Sequence, residues 1–292
     1  MFFPNATAEP KNDVIDLNSG RRTPVVRYAL DSVDSTQVWS REHLPSVPLE
    51  GWLAVTAKQQ TGGLGTSGRK WHSPLGNVYA SFSIRLPENV YTGPSANINQ
   101  LRLPQITGLA VSQALEGFGL NPKIKWVNDV LLGGKKISGI SVELHGNVLI
   151  IGIGINVNMS MEEAAQVNEV CIGDPNKIPA TSLLLEVGRV FDIESVFQKL
   201  QQRLYTNMDL HFRGELDFVR EIESRLTCRR GDEVRVQQDQ IAGCPLEPEC
   251  NGHFIGLNSY GAAEIFISGK GKVEINTGRM SLPIANCNQP SP

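Results

Sequence analysis

Read for the spacing of apolar residues, the chain opens with no regular pattern. Residues 1–24 are polar and rich in Pro, Asn and Asp, so a flexible tail is expected there. VVRYAL (25–30) and WLAVTAKQQ (52–60) read as strands, and the second runs into a glycine-rich stretch, T-G-G-L-G-T-S-G-R-K-W, at 61–71. Val78, Ala80, Phe82 and Ile84 then alternate with Tyr79, Ser81, Ser83 and Arg85, which is the period of a strand. PQITGLAVSQALEGFG (104–119) instead places Ile106, Ala110, Ala114 and Gly117 at helical spacing. KIKWVNDVLL, KKISGISVEL and VLIIGIGINVNM follow, joined by turns at Gly133-Gly134 and His145-Gly146-Asn147, and predict an antiparallel meander. After a polar connection at 160–180, TSLLLEVGRVF and IESVFQKLQQRLYTNMDLHF are expected helices, the second with Ile193, Phe197, Leu200, Leu204 and Met208 on one face. From Leu226 onward short strands alternate with glycines, as in a small β-barrel.

The expected fold class is therefore α+β. A main domain at 25–223 would hold a central mixed or antiparallel sheet with flanking helices, followed by a small C-terminal β-barrel at 226–285 and a tail at 286–292. Composition narrows the picture only a little. A hydrophobic content of 40% supports real cores, and a formal net charge of −3 argues against nucleic acid as a partner of the whole protein. Five scattered cysteines without a C-x-x-C pair point to free thiols in a reducing compartment. The first residues lack the features of a secretory signal, and no apolar run is long enough to span a bilayer, so a cytoplasmic protein without membrane contact is expected.

Gly63-Leu64-Gly65-Thr66-Ser67-Gly68 fits the dinucleotide fingerprint G-x-G-x-x-G and falls one residue short of a P-loop. Both motifs need a helix directly after the glycines, with its N-terminus on the phosphates. Pro74, Gly76 and a period-two run follow instead, so both readings fail on context. The lysines carry more. Strand alternation would put Lys125 and Asp129 on one face of Lys125-Trp126-Val127-Asn128-Asp129, and Lys136 and Ser138 on one face of the next strand. Gly139 would leave room for something to lie against the backbone. Paired across the Gly133-Gly134 turn, Lys125, Lys135 and Lys136 with Arg69 and Lys70 would make a local basic pocket suited to a triphosphate. Taken singly, such lysines are ordinarily solvated surface, and Trp126 is more readily a core ring than a ligand contact.

The succession DSTQ, QTGGLGTSGRKWHSP, KWVND, KKISGISVE and GIGINVN resembles the biotin protein ligases (holocarboxylase synthetases), in order and spacing, over residues 27 to 190. The resemblance implies the biotin/lipoate ligase fold, which is like that of class II aminoacyl-tRNA synthetases. It also implies ATP-dependent attachment of biotin, through biotinyl-adenylate, to a lysine of the biotin carboxyl-carrier domain of a carboxylase. Carried over by motif, Lys136 would bridge the biotin carboxylate and the α-phosphate, with Arg69 and Lys125 as further catalytic cations. Ser35, Thr36 and Gln60 would bind the ureido ring, with Gln37 nearby, and Leu64, Gly65, Thr66 and Gly139 would line the biotin site. Trp71 would pack on adenine. Arg69, Lys125, Asn128, Asp129 and Asn156 would line the nucleotide, whose Mg²⁺ would enter with ATP rather than occupy a fixed protein site.

Two departures matter. The family's loop usually reads Gly-Arg-Gly-Arg where this chain has Gly63-Leu64-Gly65-Thr66, which implies looser retention of the adenylate, since a charge-assisted hydrogen bond is worth about 1.5–3 kcal/mol. The tail is too short for the helix-turn-helix of some members, so operator binding is not expected; a homodimer stays open. The rival readings are a lipoate or octanoate ligase of the same fold and a non-catalytic relative that binds biotin or its adenylate. The first usually carries R-R-x-G-G-x-x-x-H, which Gly62-Gly63…His72 does not reproduce.

Overall fold

The computed structural model describes residues 9–17, 19–92, 94–169, 178–237, 249–276 and 278–282. In chain order its elements are β1 (Lys11–Asp16), β2 (Arg22–Val33), α1 (Thr36–Glu42), β3 (Trp52–Gln60), β4 (Val78–Arg85), α2 (Glu88–Tyr91) and α3 (Pro94–Glu116). Then come β5 (Lys123–Lys125), β6 (Asp129–Leu132), β7 (Lys135–His145), β8 (Val148–Ile155), α4 (Met161–Asn168), α5 (Leu183–Val187), α6 (Ile193–Phe212) and α7 (Phe218–Glu223). The last five strands are β9 (Glu233–Gln237), β10 (Glu249–Leu257), β11 (Ala263–Ile267), β12 (Gly271–Ile275) and β13 (Arg279–Ser281).

Strands β1 to β8 form one mixed sheet in the order β1-β2-β3-β4-β8-β7-β6-β5, in which only the β2–β3 pair is parallel. Alternation decides what each face meets. Ala80, Phe82, Ile151 and Ile153 belong to the main core with α3 and α6, which pack on each other. Helix α1 contacts β3, β4 and β8. The second sheet, β12-β11-β10-β9-β13, is antiparallel throughout, and its Val234, Val236, Phe254 and Ile265 join the same continuous core. Among the described residues β12 and β13 are its edges.

Four expectations need correction. Residues 11–16, assigned to a mobile tail, form an edge strand; KNDVID is too polar to announce itself, and it is held by pairing with Arg22–Arg27 of β2. Helix α3 begins at Pro94 and runs through Pro104, which forfeits one backbone bond, because Leu103, Ile106, Leu109 and Ala110 all bury on the sheet. The TSLLLEVGRVF helix stops after one turn, where Gly188 takes φ +76°. Residues 126–128 are a turn rather than part of a strand, so Lys125 and Asp129 face each other as cross-strand partners. No helix among the described residues is long and apolar enough to cross a membrane.

Candidate active site

A cleft lies over the middle of the large sheet, and its floor is built by register. Gly139 of β7 pairs with Gly154 of β8, and Ser141 pairs with Gly152 two positions along, so one face carries a trough of small residues. Row by row the trough continues into β4, where Tyr79 pairs with Gly154 and Ser81 with Gly152. At its other end Gly139 pairs with Asp129, and Asp129 with Lys125. The glycines are occupied to contact. A Cβ on Gly154 would stand 2.6 Å from Cε2 of Trp71, one on Gly139 2.7 Å from Cζ3 of the same ring, and one on Gly152 2.5 Å from Oε1 of Gln37.

One wall is the N-terminus of α1 with the last residue of β3. Ser35 is the helix cap, its hydroxyl accepting from the Gln37 amide at 3.3 Å. Gln60 Oε1 accepts from the Thr36 amide at 2.8 Å and from its hydroxyl at 3.2 Å, while Nε2 donates to Ser73 at 2.9 Å. Ser81 donates to Thr36 at 2.9 Å, and Gln37 Nε2 to Ser141 at 3.2 Å. Ser35, Thr36 and Gln37 are all buried, so this polar wall is held rigid by its own bonds.

The glycine stretch is a small hairpin folded over the cleft. Gly65 donates to the Arg69 carbonyl at 2.7 Å and Trp71 to the Gly63 carbonyl at 2.8 Å. Gly63 must be bare, since a Cβ there would lie 2.7 Å from Ser73 Oγ. The hairpin delivers the Trp71 ring onto Gly139 and Gly154 with its Nε1 buried and without a hydrogen-bond partner among the described residues. Leu64, Gly65 and Thr66 face the cavity, whose volume of about 40 Å³ leaves room for a few waters.

At the far end Lys136 Nζ lies 2.6 Å from Asp129 Oδ1 and 5.4 Å from the centroid of Trp71. Asn128 Nδ2 donates to the Ile140 carbonyl at 3.1 Å and reaches Thr66 Oγ1 at 3.5 Å, linking loop to sheet. Thus Ser35, Thr36, Gln37, Gln60, Leu64, Gly65, Thr66, Trp71, Asn128, Asp129, Lys136 and Gly139 come together around one cavity. Arg69, Lys125 and Asn156 stand outside its lining. Arg69 bonds back to the Thr66 carbonyl (3.1 Å) and hydroxyl (2.9 Å), Lys125 is buried beside Asp129, and Asn156 Nδ2 donates to the Thr181 carbonyl at 2.9 Å. The five-cation pocket is not formed: Lys135 turns to Glu186 of α5 at 3.0 Å, because its neighbour Lys136 takes the cleft side. The Trp71 ring rests on Gly139 and Gly154 of the floor. Ser73, Ser141, Gly152 and Gly154 were missed by sequence reasoning, although two glycines at period two on β8 signal a bare face. Among the described residues no three His, Cys, Asp or Glu side chains cluster as metal ligands.

Known proteins share this fold. Residues 29–160 match the model of the biotin/lipoate A/B protein ligase family. The bifunctional ligase/repressor BirA of Bacillus spizizenii is 33% identical over 198 residues, 63% of this chain and 55% of that protein, so the chain spans about half the length of this relative. The biotin–[acetyl-CoA-carboxylase] ligase of Paracoccus denitrificans is 31% identical over 178 residues, 59% of this chain and 68% of the other. Among solved structures, the biotin protein ligase of Aquifex aeolicus in complex with biotin and ATP superposes with a TM-score of 0.69 at 32% identity, covering 88% of this chain and 98% of that one. A shared fold over 88% of this chain and sequence identity over most of the Paracoccus and Aquifex proteins lead to one conclusion: the chain belongs to the biotin/lipoate A/B protein ligase family.

Proposed function

We propose that this chain is an ATP-dependent biotin–protein ligase, which activates biotin as its adenylate and transfers it to a lysine of a biotin carboxyl-carrier domain. The observation that carries the reading is the trough itself. A floor of Gly139, Gly152 and Gly154 suits a compact bicyclic ring, its polar wall suits a ureido group, and a lysine waits at the end where the ligand's carboxylate would lie.

In the first step a biotin carboxylate oxygen bonds to the α-phosphorus while the bond to the bridging oxygen breaks and pyrophosphate leaves. In the second the neutral ε-amine of the acceptor lysine attacks the acyl carbon, AMP leaves and the nitrogen gives up a proton. The first step brings two anions together, so cations must hold them in line. An ammonium has three donors; Lys136 would keep one on Asp129 and turn the others to carboxylate and phosphate. Thr36 and Gln60, with Ser35 and Gln37 beside them, would bind the ureido group, and the Gly65–Thr66 backbone would cover the intermediate. Arg69, released from Thr66, would meet the phosphates; Asn128 and Asp129, with Lys125 and Asn156 behind them, would position the nucleotide, whose Mg²⁺ arrives with ATP. Trp71 must lift from the floor to admit the ring and would then close on the ligand.

ATP–pyrophosphate exchange tests the reading with biotin, lipoate, octanoate or no acid. Biotin-dependent exchange that falls at least about a hundredfold in Lys136→Ala is expected, the scale of losing an electrostatic contact made in the transition state. Exchange with lipoate or octanoate alone would assign the protein to the sister activity, and no exchange with any acid would leave a binding protein.

A further inference from the structure

The turn that carries Asn128 is held from two sides, and one of the holds comes from the other sheet. Within the large sheet, Asn128 accepts from the Ile140 amide at 3.1 Å and donates through Nδ2 to the Ile140 carbonyl, also at 3.1 Å. On the opposite side the indole of Trp126, 2% exposed, donates its Nε1–H at 3.2 Å to the carbonyl of Gly261, in the β10–β11 turn. A buried indole N–H needs an acceptor, and this one finds it 135 residues away along the chain. The same carbonyl accepts from Gln105 Nε2 of α3 at 2.8 Å, so both its lone pairs are engaged, while the turn itself is held by Asn258, whose side chain accepts from the Tyr260 and Ala262 amides. Gly261 has φ +89°, and a Cβ there would lie 2.8 Å from Gln105 Nε2 and 3.0 Å from Phe218 Cζ; no other residue fits.

We infer that the β10–β11 turn of the second sheet is a positioning element for the proposed reaction, with Trp126 as the positioning residue, acting through the 126–128 turn on Asn128 and Asp129. This rests on the ligase reading. Trp126 touches no substrate; it sets the height of a three-residue turn. Its last residue, Asn128, carries the amide that meets the glycine loop, and the next residue, Asp129, carries the carboxylate that fixes Lys136. Gln105 bonds to the same carbonyl but has no part in that turn, which makes it the control.

The test compares Trp126→Phe, which removes the N–H and keeps a ring, with Gln105→Met in the full chain. Biotin-dependent exchange is measured with ATP and biotin varied separately, alongside thermal unfolding. The expected result is a KM for ATP raised roughly three- to tenfold by Trp126→Phe, the loss of one hydrogen bond. The KM for biotin should stay within about twofold, and Gln105→Met should shift the unfolding temperature without that split. Unchanged constants in Trp126→Phe, or the same change in both variants, overturn the inference while leaving the ligase reading intact. Wild-type protein without biotin-dependent exchange overturns both.

Discussion

Glycine 154 shows how far a single missing side chain can decide a site. It lies in a strand whose neighbours Ile151, Ile153 and Ile155 are all core, and in the sequence it stands out only as part of GIGINVN. What it makes room for comes from 83 positions earlier, and no local pattern announces such a contact. Gly154→Ala would drive a methyl group into the Trp71 ring, which must tilt up into the cleft because the sheet beneath cannot yield. Overpacking of this kind costs about 1–3 kcal/mol. Since the added methyl group would also stand on the floor where the ligand's ring must lie once Trp71 has lifted, the biotin dissociation constant is expected to rise about tenfold or more by calorimetric titration. An unchanged affinity would mean that the ring does not gate the floor. Lys136 is the opposite case, because its place in KKISG stood out in the sequence and its side chain lines the cleft.

Elements with strong internal periodicity were the legible ones. Strand β3 spans the residues read from its pattern, β4 keeps its alternation, and α6 buries Phe197, Leu200, Leu204 and Met208. Elements that exist through their partners were not: β1 is a strand because β2 offers it a ladder, and residues 126–128 turn because Trp126 reaches Gly261 and Asn128 reaches Ile140. Helix α6 also hides a titrating group in its last turn. His211 is buried, and that burial, with Arg102 nearby, pushes its pKa down from 6.5 to about 4. Between those values the unfolded chain takes up a proton that the folded one refuses. The contribution of His211 is therefore complete above about pH 6.5 and is lost as pH falls toward about 4. Urea midpoints measured across that window should fall with acidification, and His211→Gln should flatten the fall. An identical slope in the variant would place the acid sensitivity elsewhere.

At the scale of the molecule, two sheets share one core and are stitched at several points. Gln105 of α3 and Trp126 donate to the Gly261 carbonyl of the β10–β11 turn, and Glu223 of α7 accepts from Arg230 at 2.9 Å and from the Leu257 amide of β10 at 2.6 Å. The large sheet is itself assembled from near and far pieces. Strands β5 to β8 are consecutive hairpins, whereas β4 meets β8 only after the whole of residues 86–147 has been looped out. Closing that loop makes the β4–β8 union slow relative to the local hairpins. Half of the trough, Gly139 with Gly154 and Ser141 with Gly152, can thus exist before the half that brings Ser81, Thr36 and Gln60 to face it. A ligand spanning both halves would recognise only the finished sheet and would be absent from the rate-limiting crossing. Stopped-flow experiments should then find that saturating biotin slows unfolding and leaves the refolding rate as it was. The cleft would act as a kinetic lock, engaged only after the chain has folded.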